Sequence, residues 1–398
     1  MRVGLLAWDY PPAPSGLSSA ACEIAESLAG EGADVTVFTL DRNGREEVRG
    51  VRVVGLGLPA GGVLARLRRW GAAGHLAAPL AFRRAVLTAH AARRFDVIEA
   101  TNWYAPAALL SRRRDLPLVT RSSTPAAFTL GPATSLRDRI DGGAARALER
   151  WQVRGSAGLI ANTEAHGARM AALYGVTDGR PQAAIGLSLP PDFAARAAAA
   201  PYPDDDAVVR LLFVGRAERR KGFDLILAAA AILAADAEDG RLPDFAIDLV
   251  GVPPDDLPQN LSAPTRRRIL AHGRLDRADL EAAYGRAHLV LAPSRYESFG
   301  LVYQEALAYG RPVVACAEDE SARLFVGAPQ AGTLATEASG QALADALRPL
   351  IADPSVRSAC RARAQSAAGR FTRATLGRDT LALYARAVAA HREDGAGG

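Results

Sequence analysis

Lysine is nearly missing from this chain of 398 residues: the 48 basic residues comprise one lysine, Lys221, and 47 arginines. A compositional bias of the kind a GC-rich genome imposes has turned almost every tolerant basic site to arginine. The survivor marks a place where a wide planar guanidinium cannot stand in for a compact ammonium on a slim stem. Cysteine is scarce as well. Cys22, Cys316 and Cys360 are scattered, with no Cys-x-x-Cys, which excludes a disulfide framework and fits a reducing cytoplasm. No apolar run is long enough to span a bilayer, since Ala228 to Ala235 is short and alanine-rich. The N-terminus enters a strand pattern at once, without a signal-peptide layout, so a cytoplasmic protein is expected. The six histidines, His75, His90, His166, His272, His288 and His391, show no metal-ligand spacing.

What is present is globular in kind, 49% hydrophobic and 23% charged. A chain of this length exceeds one usual core, so two domains are the default. The formal charge of +5 raises nucleic acid as a ligand, but the arginines are dispersed and no aromatic-interleaved basic patch occurs, so no nucleic-acid partner is expected. Phosphorylated small molecules or a membrane surface fit better.

Short apolar runs alternate with helical patterns, which argues for an α/β fold with parallel sheets. Strands are expected at Val3–Ala7, Asp34–Thr39, Val51–Val54, Asp96–Ala100, Leu118–Ser122 and Leu159–Asn162. Helices are expected at Ser18–Ala29, Ala77–Arg94, Leu136–Arg154 and Glu164–Tyr174. Proline and alanine then crowd residues 190–206, which read as a linker. The alternation restarts with Leu211–Val214, Ala246–Val250, Ile269–His272, Leu289–Ala292 and Val313–Cys316. Helix follows from Leu343 to Ala390, with breaks near Pro349, Asp353-Pro354 and Arg370. This gives a Rossmann-like N-terminal domain at 1–190, a linker at 191–207 and a Rossmann-like C-terminal domain at 208–372. Parallel sheets of this class bind ligands at the carboxyl ends of their strands.

Three segments carry chemistry. The turn Asp9 to Leu17 lies between the first strand and its helix. Free N–H groups and a helix N-terminus there attract an anion, and Gly16 permits backbone approach. The second is the lysine loop, Gly215-Arg216-Ala217-Glu218-Arg219-Arg220-Lys221-Gly222. It nearly satisfies a Walker A pattern, but Arg220 stands where glycine is needed and Gly222 where serine or threonine is needed. An NTPase is thereby disfavoured. Arg216 and Lys221 flank one turn and suit a diphosphate whose charge is neutralised as it leaves. The third is Glu297-Ser298-Phe299-Gly300-Leu301-Val302-Tyr303-Gln304-Glu305, where two carboxylates about two helical turns apart can accept from vicinal hydroxyls.

Together, Val214-Gly215-Arg216 with Lys221-Gly222, and Glu297-Ser298-Phe299-Gly300 with Glu305, resemble the signature of the retaining GT-B glycosyltransferases of family 4. Gly310-Arg311-Pro312-Val313-Val314-Ala315 and Ala331-Gly332 extend the likeness. The resemblance implies two Rossmann-like domains facing an interdomain cleft, with the last helix, about 373–392, joining the N-terminal domain. It implies metal-independent transfer of a sugar from a nucleoside-diphosphate donor to an acceptor hydroxyl, with UDP expected ahead of GDP and no cofactor. The acceptor would be a small molecule, a polysaccharide or a lipid-linked precursor. Arg216, Lys221 and Glu297 would be the catalytic groups, the two cations on the diphosphate and Glu297 on the sugar hydroxyls. Glu305 would accept from the ribose. Amides of Phe299, Gly300 and Leu301 would contact sugar and phosphate, with Ser298 and Gly215 in the same loops. Gly16 would approach the phosphate from the other domain, and His272-Gly273-Arg274-Leu275 would line the base.

The chain departs from that family twice. Ser122 or Ser123 stands where the family carries a histidine that touches the transferred sugar, and Glu320-Ser321-Ala322-Arg323-Leu324 replaces a Gly-Gly-x-Pro-Glu run. A non-catalytic nucleotide-sugar-binding partner and a sugar-nucleotide epimerase therefore stand as alternatives. Asp204-Asp205-Asp206 contains the Asp-x-Asp of metal-dependent transferases, but in the linker it reads as a solvated acidic run. Residues 63–95 mix Leu, Trp70 and Phe82 with seven arginines. An ordinary surface helix is the expectation there, with weak association at the inner membrane face as the alternative.

Overall fold

The computed structural model describes residues 1–396, apart from 14, 58–62, 64–70, 132 and 204–206. The acidic run 204–206 and most of the first turns of the basic segment 63–95 thus lie outside the described residues. The chain divides into two compact units, Met1–Ser188 with Phe371–Gly398, and Leu189–Arg370.

The first unit is built on eight strands: β1 Arg2–Ala7, β2 Asp34–Thr39, β3 Asn43–Val48, β4 Val51–Leu56, β5 Val97–Thr101, β6 Leu118–Ser122, β7 Gly158–Ala161 and β8 Gln182–Ala184. They lie in the order β3-β4-β2-β1-β5-β6-β7-β8. Helices α1 Gly16–Gly30, α2 Ala77–Ala92, α3 Leu136–Arg154 and α4 Glu164–Tyr174 cover the sheet. The central strands β1, β2, β5 and β6 are buried along nearly their whole length. One pair departs from the expected parallel sheet: β3 runs antiparallel to β4. Its residues, Asn-Gly-Arg-Glu-Glu-Val, are all exposed and show no apolar alternation, so no hydrophobic signal announces the strand. The hairpin forms because Arg49 and Gly50, both at positive φ, make a two-residue turn whose twist matches the strands. Helix α1 starts at Gly16 rather than near Ser18. Ser15 is its N-cap, its Oγ accepting from Ser18 N at 3.0 Å and donating to Asp9 Oδ2 at 2.6 Å.

The C-terminal helix, Arg373–Ala396, belongs to this first unit through buried polar contacts. Arg121 bonds Glu99 at 2.8 Å and Thr380 at 3.0 Å, and Tyr384 donates to the other oxygen of Glu99 at 2.5 Å. Arg373 also reaches Glu26 at 2.8 Å.

The second unit has six parallel strands, β9 Val209–Val214, β10 Phe245–Val250, β11 Ile269–Gly273, β12 Leu289–Ala292, β13 Val313–Cys316 and β14 Gly332–Ala335, in the order β11-β10-β9-β12-β13-β14. Its helices are α5 Pro191–Ala199, α6 Phe223–Glu238, α7 Arg277–Arg286, α8 Leu301–Ala308, α9 Gly340–Ala352 and α10 Pro354–Ala367. The expected linker therefore opens with a helix. Pro191 sits at its first position, where a missing N–H costs nothing, alanines follow, and Phe193 and Ala197 are buried. The expected break at Pro349 does not occur either. Proline there forfeits only one bond near the end of α9, while Leu343, Leu347, Leu350 and Ile351 bury one face. Phe213, Phe245, Leu249, Leu291 and Val314 form the centre of the core. Each such side chain stabilises by about 1.5–3 kcal/mol relative to exposure.

Arg311, of the Gly-Arg-Pro run, is fully buried beside this core. Its guanidinium donates to the carbonyls of Tyr284, Tyr309, Pro201 and Gly285 at 2.7–3.1 Å, tying the segment after α5 to two helix ends. Burial lowers its pKa to about 10.

Candidate functional site

In the second unit the strand order reverses between β9 and β12, and open sheets bind ligands just beyond the carboxyl ends at such a point. The lysine loop leaves β9, and the Ser294–Gly300 segment leaves β12. Glycine at 222 lets the two loops touch. Its φ is +75°, and a Cβ there would lie 2.1 Å from the carbonyl oxygen of Pro293, so any side chain would push them apart. Arg295 N donates to Arg220 O at 2.9 Å across the same contact.

This approach sets Lys221 Nζ 2.6 Å from Glu297 Oε1. Ser294 Oγ donates to the same oxygen at 2.7 Å, and Arg220 lies 3.5 Å from Oε2. Glu297 is only 8% exposed. Burial alone would raise its pKa, but Lys221 and Arg220 outweigh burial and hold the carboxyl below its ordinary range. The carboxylate is therefore charged at neutral pH and oriented from three sides.

Its backbone is pinned as well. Glu297 N donates to Asp319 Oδ1 at 3.0 Å, Ser321 Oγ donates to Glu297 O at 3.1 Å, and Tyr303 OH donates to Asp319 Oδ2 at 2.6 Å. Burial, with the nearby charge of Glu297, pushes Asp319 up to about 7. Glu305 lies on α8, where it accepts from Tyr284 OH at 2.7 Å. Burial raises its pKa, and Tyr284 and Lys221 partly offset the rise. Lys221 thus acts electrostatically on both carboxylates of the Glu-x7-Glu segment.

The other expected residues land as follows. Arg216 does not join this cluster. It is 72% exposed and pairs with Glu218 at 2.8 Å, while Arg220 takes the place beside Glu297. A Cβ on Gly215 would meet the Phe213 ring at 2.8 Å. Ser298 precedes Phe299, whose ring is buried edge-on to Phe325 with centroids 5.1 Å apart. Gly300, at φ +84°, precedes α8 as its N-cap and offers no side-chain cap to the first amides of the helix. His272 lies in β11 with Nε2 2.6 Å from Asp248 Oδ1, Gly273 ends the strand, and Arg274 and Leu275 follow it. Gly16, Ser122 and Ser123 belong to the first unit. Ser123 N donates to Asn102 Oδ1 at 2.6 Å and its Oγ lies 2.7 Å from Thr101 Oγ1. The carbonyl of Ser122 accepts from His166 Nε2 at 3.1 Å.

Sequence reasoning missed Arg220, Ser294, Tyr303 and Asp319. Ser294 and Arg220 carried a weak signal, adjacency to residues already singled out. Asp319 carried less: it sits in an acidic run after β13, and nothing in the sequence distinguishes this buried acid from exposed Glu318 and half-buried Glu320.

The profile described as "Glycosyl transferases group 1" matches residues 200–367, and that described as "Glycosyl transferase 4-like domain" matches residues 15–185. A D-inositol 3-phosphate glycosyltransferase of Kineococcus radiotolerans is 31% identical, over 94% of this chain and 91% of that protein. A glycogen synthase of Mycobacterium tuberculosis is 28% identical, over 94% and 90%. Among solved structures, a sucrose-phosphate synthase of Thermosynechococcus elongatus superposes with a TM-score of 0.70 at 21% identity, covering 98% of this chain and 99% of that one. WaaG, a glycosyltransferase involved in lipopolysaccharide biosynthesis, gives 0.69 at 19% identity, covering 96% and 99%. Two parallel-sheet Rossmann-like units of this kind define the GT-B fold. The chain belongs to the family 4 glycosyltransferases of that fold.

Proposed function

We propose that this glycosyltransferase moves a sugar from a nucleoside-diphosphate donor to an acceptor hydroxyl with retention of anomeric configuration and without a metal ion, UDP being preferred to GDP as the carrier. The observation that carries the reading is Lys221, the sole lysine, held 2.6 Å from buried Glu297 at the strand-order reversal. Lys221 gives one of its three N–H donors to Glu297, and the others suit the diphosphate, with exposed Arg216 as the second cation. Negative charge builds on the leaving phosphate as the glycosidic bond breaks, and fixed cations stabilise it most at that moment. Ionised Glu297 would accept from the ring hydroxyls of the donor, Glu305 from the ribose, and the Gly300 amides from sugar or phosphate oxygens. His272 to Leu275 would line the base. Retention and the choice of UDP rest on the family resemblance. One solved relative by fold, with a TM-score of 0.66, holds UDP-2-fluoro glucose. The three free thiols suit a reducing cytoplasm.

Calorimetry with UDP, GDP and ADP tests the donor site: UDP is expected to bind tightest, and no binding by any of them at millimolar concentration refutes the reading. Proton NMR of the product, with and without EDTA, tests retention and metal independence. A second reading, a non-catalytic nucleotide-sugar-binding partner, draws on the serines at 122 and 123 and on Glu320–Leu324. Turnover by the purified chain alone eliminates it.

A further inference from the structure

Helix α3 has two apolar faces. One packs on the sheet through Gly142, Ala145 and Val153, which are buried together with Glu149 and Gln152. The other points away from it. Leu136, Ile140, Gly143, Ala147 and Trp151 recur at intervals of three or four residues, which sets them in one stripe along the helix. Leu136 is 69% exposed, Ile140 55% and Trp151 49%. A helix that only covers a sheet keeps its large apolar groups on the buried side, so three of them in line on the outside form a surface that wants a partner.

Arginine borders the stripe. Arg139, Arg146 and Arg150 run along one side of it and Arg154 closes its end, all exposed. Arg112, from the segment between β5 and β6, lies over the Trp151 ring at 4.1 Å. Arg112, Arg146, Arg150, Trp151 and Arg154 thereby line a groove of about 530 Å³. The acids of the helix are engaged elsewhere. Asp138 caps the first turn, accepting from Ser135 N at 3.0 Å and Thr134 Oγ1 at 2.7 Å. Asp141 lies 3.2 Å from His75, and buried Glu149 accepts from Tyr104 N and Ala126 N, each at 3.0 Å. Arg150 and Arg154 donate to the carbonyls of Leu173 and Tyr174 at 3.3 and 2.8 Å, neutral acceptors that leave the charge in place.

Charge and shape together select the partner. A second copy docked through a two-fold axis would meet this patch with the same patch, arginine against arginine. Nucleic acid would satisfy the arginines but hold Leu136 and Ile140 in water beside phosphates. An anionic bilayer takes both: headgroup phosphates accept from the guanidinium forks, the aliphatic tips enter the acyl boundary, and the half-exposed indole sits at the interface. From Leu136 to Trp151 the stripe is roughly 22 Å long, enough to lie in the interface plane. Helix α2, in the segment 63–95 where membrane association is the alternative reading of the sequence, offers no such face. It buries Phe82 and Val86, and its exposed residues are Arg83, Arg84, Thr88, Ala91 and Ala92.

We propose that the first unit docks on an anionic lipid surface through the outward face of α3. The inference stands apart from the donor reading, and failure of UDP to bind leaves it untouched. Flotation of the full chain with vesicles of phosphatidylcholine alone, and of phosphatidylcholine mixed with phosphatidylglycerol, tests it. Binding to the anionic vesicles is expected to be about tenfold tighter or more, and to weaken as salt is raised. Ile140→Asp should weaken that binding by about tenfold or more, the weight of one large apolar side chain. Arg146→Gln should weaken it by about fivefold, the weight of one basic residue at such a surface. Both side chains are exposed, so melting temperature should not change in either variant, and Leu136→Asp stands in if Ile140→Asp lowers it. No binding to anionic vesicles, or equal binding to both kinds, would overturn the proposal. So would a loss on Arg146→Gln with none on Ile140→Asp, which is adsorption by charge alone, or a dimer in sedimentation velocity that Ile140→Asp dissociates, since a second copy then covers the face.

Discussion

Lys221 shows how one residue can be conspicuous in a sequence for a reason that only its contacts explain. Its scarcity marks it, yet a lone cation on a loop would be expected to cost nothing in stability when removed. The structure corrects that expectation: Lys221 is the nearest counter-charge of a carboxylate that is 8% exposed, and without it only Arg220 remains, 3.5 Å away. Lys221→Ala should lower kcat by about 10²-fold or more, the scale for losing one preorganised charge-stabilising group. It should also lower the melting temperature, because a buried carboxylate loses its closest partner. Lys221→Arg should restore the stability more than the rate, since the wider fork cannot occupy the same point. Steady-state kinetics beside thermal melts separates the two effects. A Lys221→Arg protein with wild-type kcat and KM would show that the ammonium is not required.

At the scale of elements, the loop pair after β9 and β12 depends on Gly222. Gly222→Ala places a methyl group against the Pro293 carbonyl at a positive φ, and the loops must separate to admit it. Lys221 should then lose Glu297, and calorimetry should show UDP binding weakened by about tenfold or more, together with a lower melting temperature. Unchanged UDP affinity would mean that the loop contact does not assemble the site. Most elements were legible in the sequence because their signals are local. Leu289–Ala292 and Val313–Cys316 are apolar runs with sharp ends, and Leu136–Arg154 opens with a capping box at Ser135 and Asp138. The elements that escaped lack such signals. Strand β3 is wholly polar, β8 has three residues, and α5 was concealed by prolines that in fact begin it.

The whole molecule carries a pH dependence located in the first unit. Burial lowers His166 from the ordinary 6.5 to about 4, with Arg169 adding to the effect and the hydrogen bond to the Ser122 carbonyl opposing it. The folded state therefore holds this ring neutral where the unfolded chain would protonate it. Its contribution to stability is complete above pH 6.5 and is lost as pH falls from 6.5 towards 4, by an amount on the order of 3 kcal/mol. His166→Gln keeps an N–H donor for Ser122 O and removes the titration. Urea unfolding should show the wild-type protein losing more stability than this variant between pH 6.5 and 4, and equal losses would contradict the assignment.

The sequence by itself determined what local pattern can determine: two α/β halves, the order of their elements, and the two segments, at Lys221 and at Glu297–Glu305, that carry the chemistry. These are legible because apolar periodicity, glycine at fixed φ and unusual composition are properties of neighbours along the chain. Tertiary structure decided which of the many arginines stands beside Glu297, that Asp319 and Tyr303 hold the backbone of that residue, and that Arg112 lies over Trp151 on the outward face of α3. Those residues are separated by up to 77 positions, and strand order, which no local signal encodes, brings them together.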